Sequence, residues 1–182
     1  MTEKECERKA ALTKEAYERL LLLFGKLAPP VAYRQENFYY DTPDFYLAKN
    51  HATLRIRETD GHLLRQYKHG QVKKGDLRIA TEDNVPVSAL PEKISGAALP
   101  DCPPDLVFLP LGSLVTYRTD FRIGQALLSL DKSVYLGVTD YELELETGEN
   151  DGIPEAILSA GVDFSRPVMG KFHRFLLQLR KK

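Results

Sequence analysis

At 182 residues, with 43% hydrophobic and 28% charged side chains, the chain has apolar material for one domain with a sizeable core and is not biased towards disorder. A formal net charge of -1 gives no overall basic field for nucleic acid or an anionic membrane, so an anion must be met by a local cluster. Two cysteines, Cys6 and Cys102, match no zinc spacing, the N-terminus opens on charge rather than an apolar signal core, and no apolar run is long enough to span a bilayer, so a cytoplasmic protein with neither nucleic-acid nor membrane partners is expected.

Glu3 to Ala10 fits a strand with Glu3, Glu5, Glu7 and Lys9 on one face, and fits a helix as well. Thr13 is placed to cap a helix running from Lys14 to about Leu27, stopped by Pro29-Pro30. The aromatic-rich stretch Val31 to Asp41 reads as a strand, and Phe45 to Lys49 as one helical turn. Thr53 to Glu58 alternates, with Leu54 and Ile56 opposite Arg55 and Arg57. Asp60-Gly61 then turns the chain into a partner strand, His62 to Lys68. A polar loop over Gln71 to Asp76 precedes a strand from Leu77 to Asp83 with Arg78 and Glu82 on one side. The proline-rich stretch 86–110 predicts two short helices, Val87 to Ala98 and Asp105 to Leu109, in a lid-like connection. Strands follow over Leu114 to Ile123 and Ala126 to Val134, then helices over about Gly152 to Ala160 and Gly170 to Arg180.

Between these lies Tyr141-Glu142-Leu143-Glu144-Leu145-Glu146. As a strand it sends three carboxylates to one face, spaced about 7 Å apart. Each neighbouring pair repels by about 2 kcal/mol at an effective dielectric near 20. Such a stripe is better matched to cations than to bulk water. Across the other strands, acids (Glu5, Glu7, Glu82, Asp120, Asp131) and bases (Lys9, Arg55, Arg57, Lys68, Arg78, Arg118, Arg122) share one face with aliphatics opposite. Cross-strand salt bridges on a wetted face explain any one pair. They explain less well the acids at both ends of the chain with bases between. If the helices cover the aliphatic faces, seven or eight antiparallel strands close into an α+β barrel with a charged lumen. Clustered carboxylates are hard ligands for Mg²⁺ or Mn²⁺, and clustered Arg and Lys grip phosphate, so the face fits a metal-chelated polyphosphate. No P-loop, dinucleotide-binding glycine motif or nucleophile elbow is present, and His51, His62, His69 and His173 lack zinc spacing.

These residues resemble the CYTH superfamily, the triphosphate tunnel metalloenzymes. Glu5-Cys6-Glu7-Arg8-Lys9 fits its Glu-x-Glu-x-Lys signature. Tyr39-Tyr40-Asp41-Thr42, Leu54-Arg55-Ile56-Arg57, Lys68, Arg118 with Arg122, Leu130-Asp131, the acidic strand, Lys171 and Arg174 follow in family order. The resemblance spans nearly the whole chain and looks most like stand-alone bacterial members. It implies one domain over 1–182, a closed eight-stranded antiparallel barrel with helices outside, and Mg²⁺- or Mn²⁺-dependent hydrolysis of a small-molecule triphosphate. By matching positions, Glu5, Glu7, Glu142, Glu144, Glu146 and Asp131 would hold metal. Lys9, Arg55, Arg57, Lys68, Arg118, Arg122, Lys171 and Arg174 would bind phosphate, with Glu5, Glu7, Lys9 and Glu144 catalytic. The fifth strand departs from the family's Glu-x-Glu by supplying only Glu82. Adenylate cyclase, thiamine triphosphatase and a non-catalytic polyphosphate-binding module are the alternatives on the same scaffold; monomer and homodimer are both open.

Overall fold

The computed structural model describes residues 1–181. Nine strands and four helices follow in the order β1 (Thr2–Leu12), α1 (Lys14–Gly25), β2 (Val31–Asp41), α2 (Tyr46–Lys49), β3 (Thr53–Thr59), β4 (His62–Lys74), β5 (Leu77–Val87), β6 (Ile94–Ser95), β7 (Val107–Ile123), β8 (Ala126–Tyr135), β9 (Val138–Glu146), α3 (Glu155–Ser159) and α4 (Lys171–Leu179). Eight strands pair in the order β2-β3-β4-β5-β1-β9-β8-β7, and β2 pairs back with β7, so the antiparallel sheet closes on itself. The two-residue β6 is an addition on β7.

The choice between strand and helix for the first segment is settled by pairing. Thr2–Leu12 is extended because it is the seam of the barrel, pairing β5 on one side and β9 on the other. Good helix formers give way here to two ladders of backbone hydrogen bonds. Thr13 then caps α1, its hydroxyl accepting from the Ala16 N–H at 3.1 Å. Asp60 and Gly61 both take positive φ (50° and 79°), the geometry a two-residue hairpin demands.

The apolar faces point outward. Leu128, Leu130, Leu143, Leu145 and Phe121 pack beneath α1 (Tyr17, Leu20, Phe24) and α3 (Ile157). Tyr40, Leu54, Ile56 and Tyr67 form a second core under the proline-rich segment, which contributes Ile94, Leu99 and Phe108. That segment is therefore a lagging of the barrel wall rather than a lid. Neither of its two expected helices forms: only a 3-10 turn at Gly96–Ala98 is helical, and Val107–Leu109 extends β7. Likewise β4 runs on to Lys74 through a bulge after His69, so the expected polar loop shrinks to a tight turn at Gly75-Asp76. The third core lies at one end of the lumen, where Phe172 and Phe175 of α4 meet the ring of Tyr39 at 5.0 and 5.3 Å. α4 thereby closes that end.

Candidate functional site

Strand alternation sends charged residues of β1, β3, β4, β5, β7 and β9 inward, where, with Gln35 and Tyr39 of β2, they line a cavity of about 940 Å³. Register fixes which ones meet. Lys9 lies opposite Glu144 and Glu7 opposite Glu146 across β1 and β9, while Asp131 sits opposite Glu142 and Arg118 opposite Asp131. The result is three zones.

The first is a buried knot of ion pairs towards α4. Arg118 is bidentate to Asp131, with Nε 2.8 Å from Oδ1 and Nη2 2.7 Å from Oδ2, and its Nη2 also donates to Glu144. Lys171 places its ammonium among Asp131 (2.8 Å), Glu144 (2.9 Å) and Glu142. Arg174 spans Glu142 (2.6 Å) and Asp140 (2.9 Å). Asp131, Glu142 and Glu144 each bring one carboxylate oxygen within 4.8 Å of the others, a set that could hold a metal ion; here the Lys171 ammonium sits among them. Burial opposes the charge on Glu144, but Lys171, Lys9 and Arg118 outweigh it and hold the carboxyl well below the usual range. Asp131 is held down the same way, against burial, by Lys171 and Arg118.

The second zone is acidic. Glu5 and Glu7 both meet Lys68, the latter at 3.2 Å, and Glu7 also pairs with Lys9 at 3.0 Å. Lys9 in turn reaches Glu144 at 2.5 Å. Burial works against Glu7, yet Lys9 and Lys68 keep its pKa low, whereas burial and neighbouring Glu7 push Glu5 up. Glu146 forms no ion pair among the described residues, and burial together with Glu144 and Glu5 raises its carboxyl to about 7. Carboxylate oxygens are the donor type a hard divalent cation takes, and Glu5, Glu7, Glu144 and Glu146 all line the lumen, although the acids that converge within 4.8 Å among the described residues are Asp131, Glu142 and Glu144.

The third zone is the reverse. Arg57 donates from Nε to Asn37 Oδ1 at 3.0 Å and pairs with no carboxylate among the described residues. Burial, with Arg55 and Arg118 nearby, lowers it to about 9. The buried Asn37 Nδ2 and Tyr39 Oη have no hydrogen-bond partner among the described residues. Arg55 is aimed by Gln66, whose Oε1 accepts from its Nε at 2.9 Å; the nearest acid, Glu82, is 3.7 Å from its Nη2. The Arg57 guanidinium and the Tyr39 hydroxyl thus face the lumen with donor capacity left over, the chemistry an anion such as phosphate would use.

The lumen thus brings together Glu5, Glu7, Lys9, Arg55, Arg57, Lys68, Arg118, Glu144, Glu146 and Lys171. It does not bring in Arg122, which is exposed beyond the cavity, or Arg174, which backs Glu142 from outside. Glu142 and Asp131 are turned to the knot around Lys171. Gln35, Asn37 and Gln66 escaped sequence reasoning as site neighbours, and Tyr39 was matched to the family without a role. Their signal was positional: Gln66 shares the face of Lys68, and Asn37 is the register partner of Arg57.

Residues 3–160 match the family model described as the CYTH domain. A relative from Bacillus subtilis (strain 168), "Putative triphosphatase YjbK", is 29% identical over 190 residues, covering 97% of this chain and 96% of the relative. The crystal structure of a "putative adenylate cyclase" from Bacillus halodurans superposes with a TM-score of 0.73 at 27% identity, covering 96% of this chain and 98% of that one. "Putative adenylyl cyclase HpAC1" from Hippeastrum, reported with a dominant triphosphatase activity, reaches 0.73 at 22% identity over 95% of each chain, a likeness of fold.

Proposed function

This chain belongs to the CYTH domain family, and from that premise we propose that residues 1–182 act as a single triphosphatase domain, a metal-dependent phosphoanhydride hydrolase taking inorganic tripolyphosphate or a nucleoside triphosphate into the barrel lumen. The observation that carries this reading is the division of the lumen between under-compensated carboxylates (Glu5, Glu146) and donors left without a carboxylate or hydrogen-bond partner (Arg57, Tyr39) among the described residues. The relative from Bacillus subtilis, named for the same activity, supports it.

Glu5, Glu7, Glu144 and Glu146 would hold Mg²⁺ or Mn²⁺, which supplies Lewis-acid charge neutralisation on phosphate oxygens. Asp131 and Glu142 would join them only with Lys171 displaced. Arg55, Arg57, Lys68 and Arg118 bind and orient the polyphosphate chain; Arg55 reaches it with its Nη edge because Gln66 holds its Nε. Lys9 is fixed between Glu7 and Glu144, where its ammonium lies against the negative charge that grows on the phosphoryl oxygens. Water attacks the terminal phosphorus, the bond from that phosphorus to the bridging oxygen breaks, and orthophosphate leaves with one proton released to carboxylate or solvent. Closure by α4 keeps bulk water from that end.

Phosphate release from tripolyphosphate, ATP and thiamine triphosphate, each with Mg²⁺, Mn²⁺ and Ca²⁺, tests the proposal. Release from at least one of them, with Mg²⁺ or Mn²⁺ and abolished by EDTA, is expected. No release from any, with tight tripolyphosphate binding by calorimetry, would replace the enzyme with a binding module. Likeness to the Bacillus halodurans structure favours scoring the ATP arm for cyclic AMP too.

A further inference from the structure

A second cavity of about 520 Å³ lies outside the barrel, between the β4–β5 turn (Lys73, Gly75, Asp76) and the strap Val162–Pro167 that leads to α4. Lys9 and Arg78 line both this cleft and the lumen, so the two spaces meet at these side chains. A third cavity, of about 430 Å³, undercuts the other side of the strap, which shares Val162, Asp163, Arg166 and Pro167 with both. The strap is therefore pinned at few points. Phe164 and Val168 are buried, and the Arg78 guanidinium donates to the Val168 carbonyl.

Charge distinguishes the cleft from a packing fault. Its acids are committed: Asp76 accepts from Arg8 at 3.2 Å, and Asp163 accepts from Arg166 at 3.1 Å and from the Ser165 N–H and hydroxyl. Its remaining cations are not. Lys73 and Arg78 form no ion pair among the described residues. One wall of the cleft is thus cationic and unpaired, and its inner end opens on the lumen beside Lys9. The far end of the lumen is closed by α4, whose Lys171 is locked into three carboxylates.

We propose that this lateral cleft is a site for inorganic orthophosphate and the port by which the cleaved phosphate leaves the lumen, passing Arg78 beneath the strap. The identity of the anion as product rests on the triphosphatase reading; the anion site itself does not. A triphosphate or longer polyphosphate threaded through the lumen blocks its open mouth, so the small product leaves sideways while the remainder is still bound. Two cations without carboxylate partners are enough to draw a doubly charged anion out of the knot and weak enough, in a solvent-open cleft, to let it go.

Two variants outside the lumen test this. Lys73→Glu reverses a charge at the exposed end of β4, and Val162→Trp fills the cleft. Orthophosphate titration followed by ³¹P NMR reads the site without turnover: Lys73→Glu should weaken binding about tenfold. With Mg²⁺ and tripolyphosphate, Val162→Trp should slow steady-state turnover about tenfold while single-turnover cleavage stays within about twofold, because only release is obstructed. Equal orthophosphate affinity in wild type and Lys73→Glu, or equal loss of single and multiple turnover in Val162→Trp, overturns the port. If no triphosphate is hydrolysed, the triphosphatase reading falls alone, and the orthophosphate titration still decides the site.

Discussion

Glu146 and Glu144 stand two residues apart on one strand face and are treated oppositely by their neighbours. Glu144 is compensated by three cations, so its carboxylate is charged at any working pH. Glu146 is left with other acids, and its pKa rises to about 7. A carboxyl raised above its unfolded value, near 4.3, holds its proton more tightly when folded. It therefore costs the fold nothing below about pH 4.3, and its penalty grows as pH climbs to about 7 and is complete above that. Glu146→Gln should stabilise the metal-free protein at pH 8 by about 1–2 kcal/mol, after allowing for solvent screening, and change little at pH 4.5. Thermal melts in EDTA at the two pH values measure this; equal effects at both would mean that Glu146 carries no uncompensated charge. Glu144→Ala should abolish metal-dependent phosphate release while leaving tripolyphosphate binding measurable by calorimetry. Surviving turnover would remove Glu144 from the machinery. These acids were legible in sequence because charge on a strict two-residue period is conspicuous. Asn37 and Gln66 were not, since a neutral amide gains its meaning only from the guanidinium it faces.

Elements were legible where a period ran unbroken and obscure where packing overrode it. The barrel strands and α1 follow their alternation and capping signals closely. Val87 to Ala98 was misleading because only Ile94, with half-buried Val87, packs on the outer face of β2–β4, while Ala89, Leu90, Ala97 and Ala98 are exposed, so no helical stripe is buried. The end of β4 was obscure for another reason: Val72 to Lys74 is exposed and carries two lysines, yet its backbone pairs with Leu77 to Ile79. At the closed end, Gly112 on β7 shows how tightly α4 is seated. Its φ is +135°, and a Cβ there would come 3.1 Å from Phe175 Cζ. Gly112→Ala should cost about 1–3 kcal/mol through backbone strain and displacement of Phe175. That corresponds to a loss of about 2–10 °C in Tm for a domain of this size. Faster amide exchange across Lys171–Leu179 in the same variant would place the loss at the seat of α4; unchanged exchange would assign it to β7 alone.

At the scale of the whole molecule, oil outside and charge inside needs both a coat and a filling. The helices and the proline-rich segment supply the coat. The filling is supplied in part by the chain's own ion pairs, and the parts left over have opposite signs on opposite strands, Glu5 and Glu146 against Arg57 and its partnerless amide neighbour. Inward-facing charge was readable from alternation, but closure was not, because the pairing of β2 with β7 reaches across the chain from Asp41↔Leu109 to Val31↔Asp120, into a 17-residue strand whose first seven residues read as helix and loop. Opposed surpluses make a thermodynamic demand. A polyphosphate alone brings negative charge towards Glu5 and Glu146, and a divalent cation alone brings positive charge towards Arg57, whereas the two together neutralise both walls. Binding should therefore be mutually reinforcing, by at least about tenfold, or about 1.4 kcal/mol. Calorimetric titration with a non-hydrolysable imido analogue of tripolyphosphate, with and without Mg²⁺ and corrected for chelation in solution, measures the coupling. The paired addition should raise Tm by more than the sum of the separate shifts. Additive shifts and equal affinities would mean that the two walls are filled independently, and that the lumen does not recognise the metal chelate as one ligand.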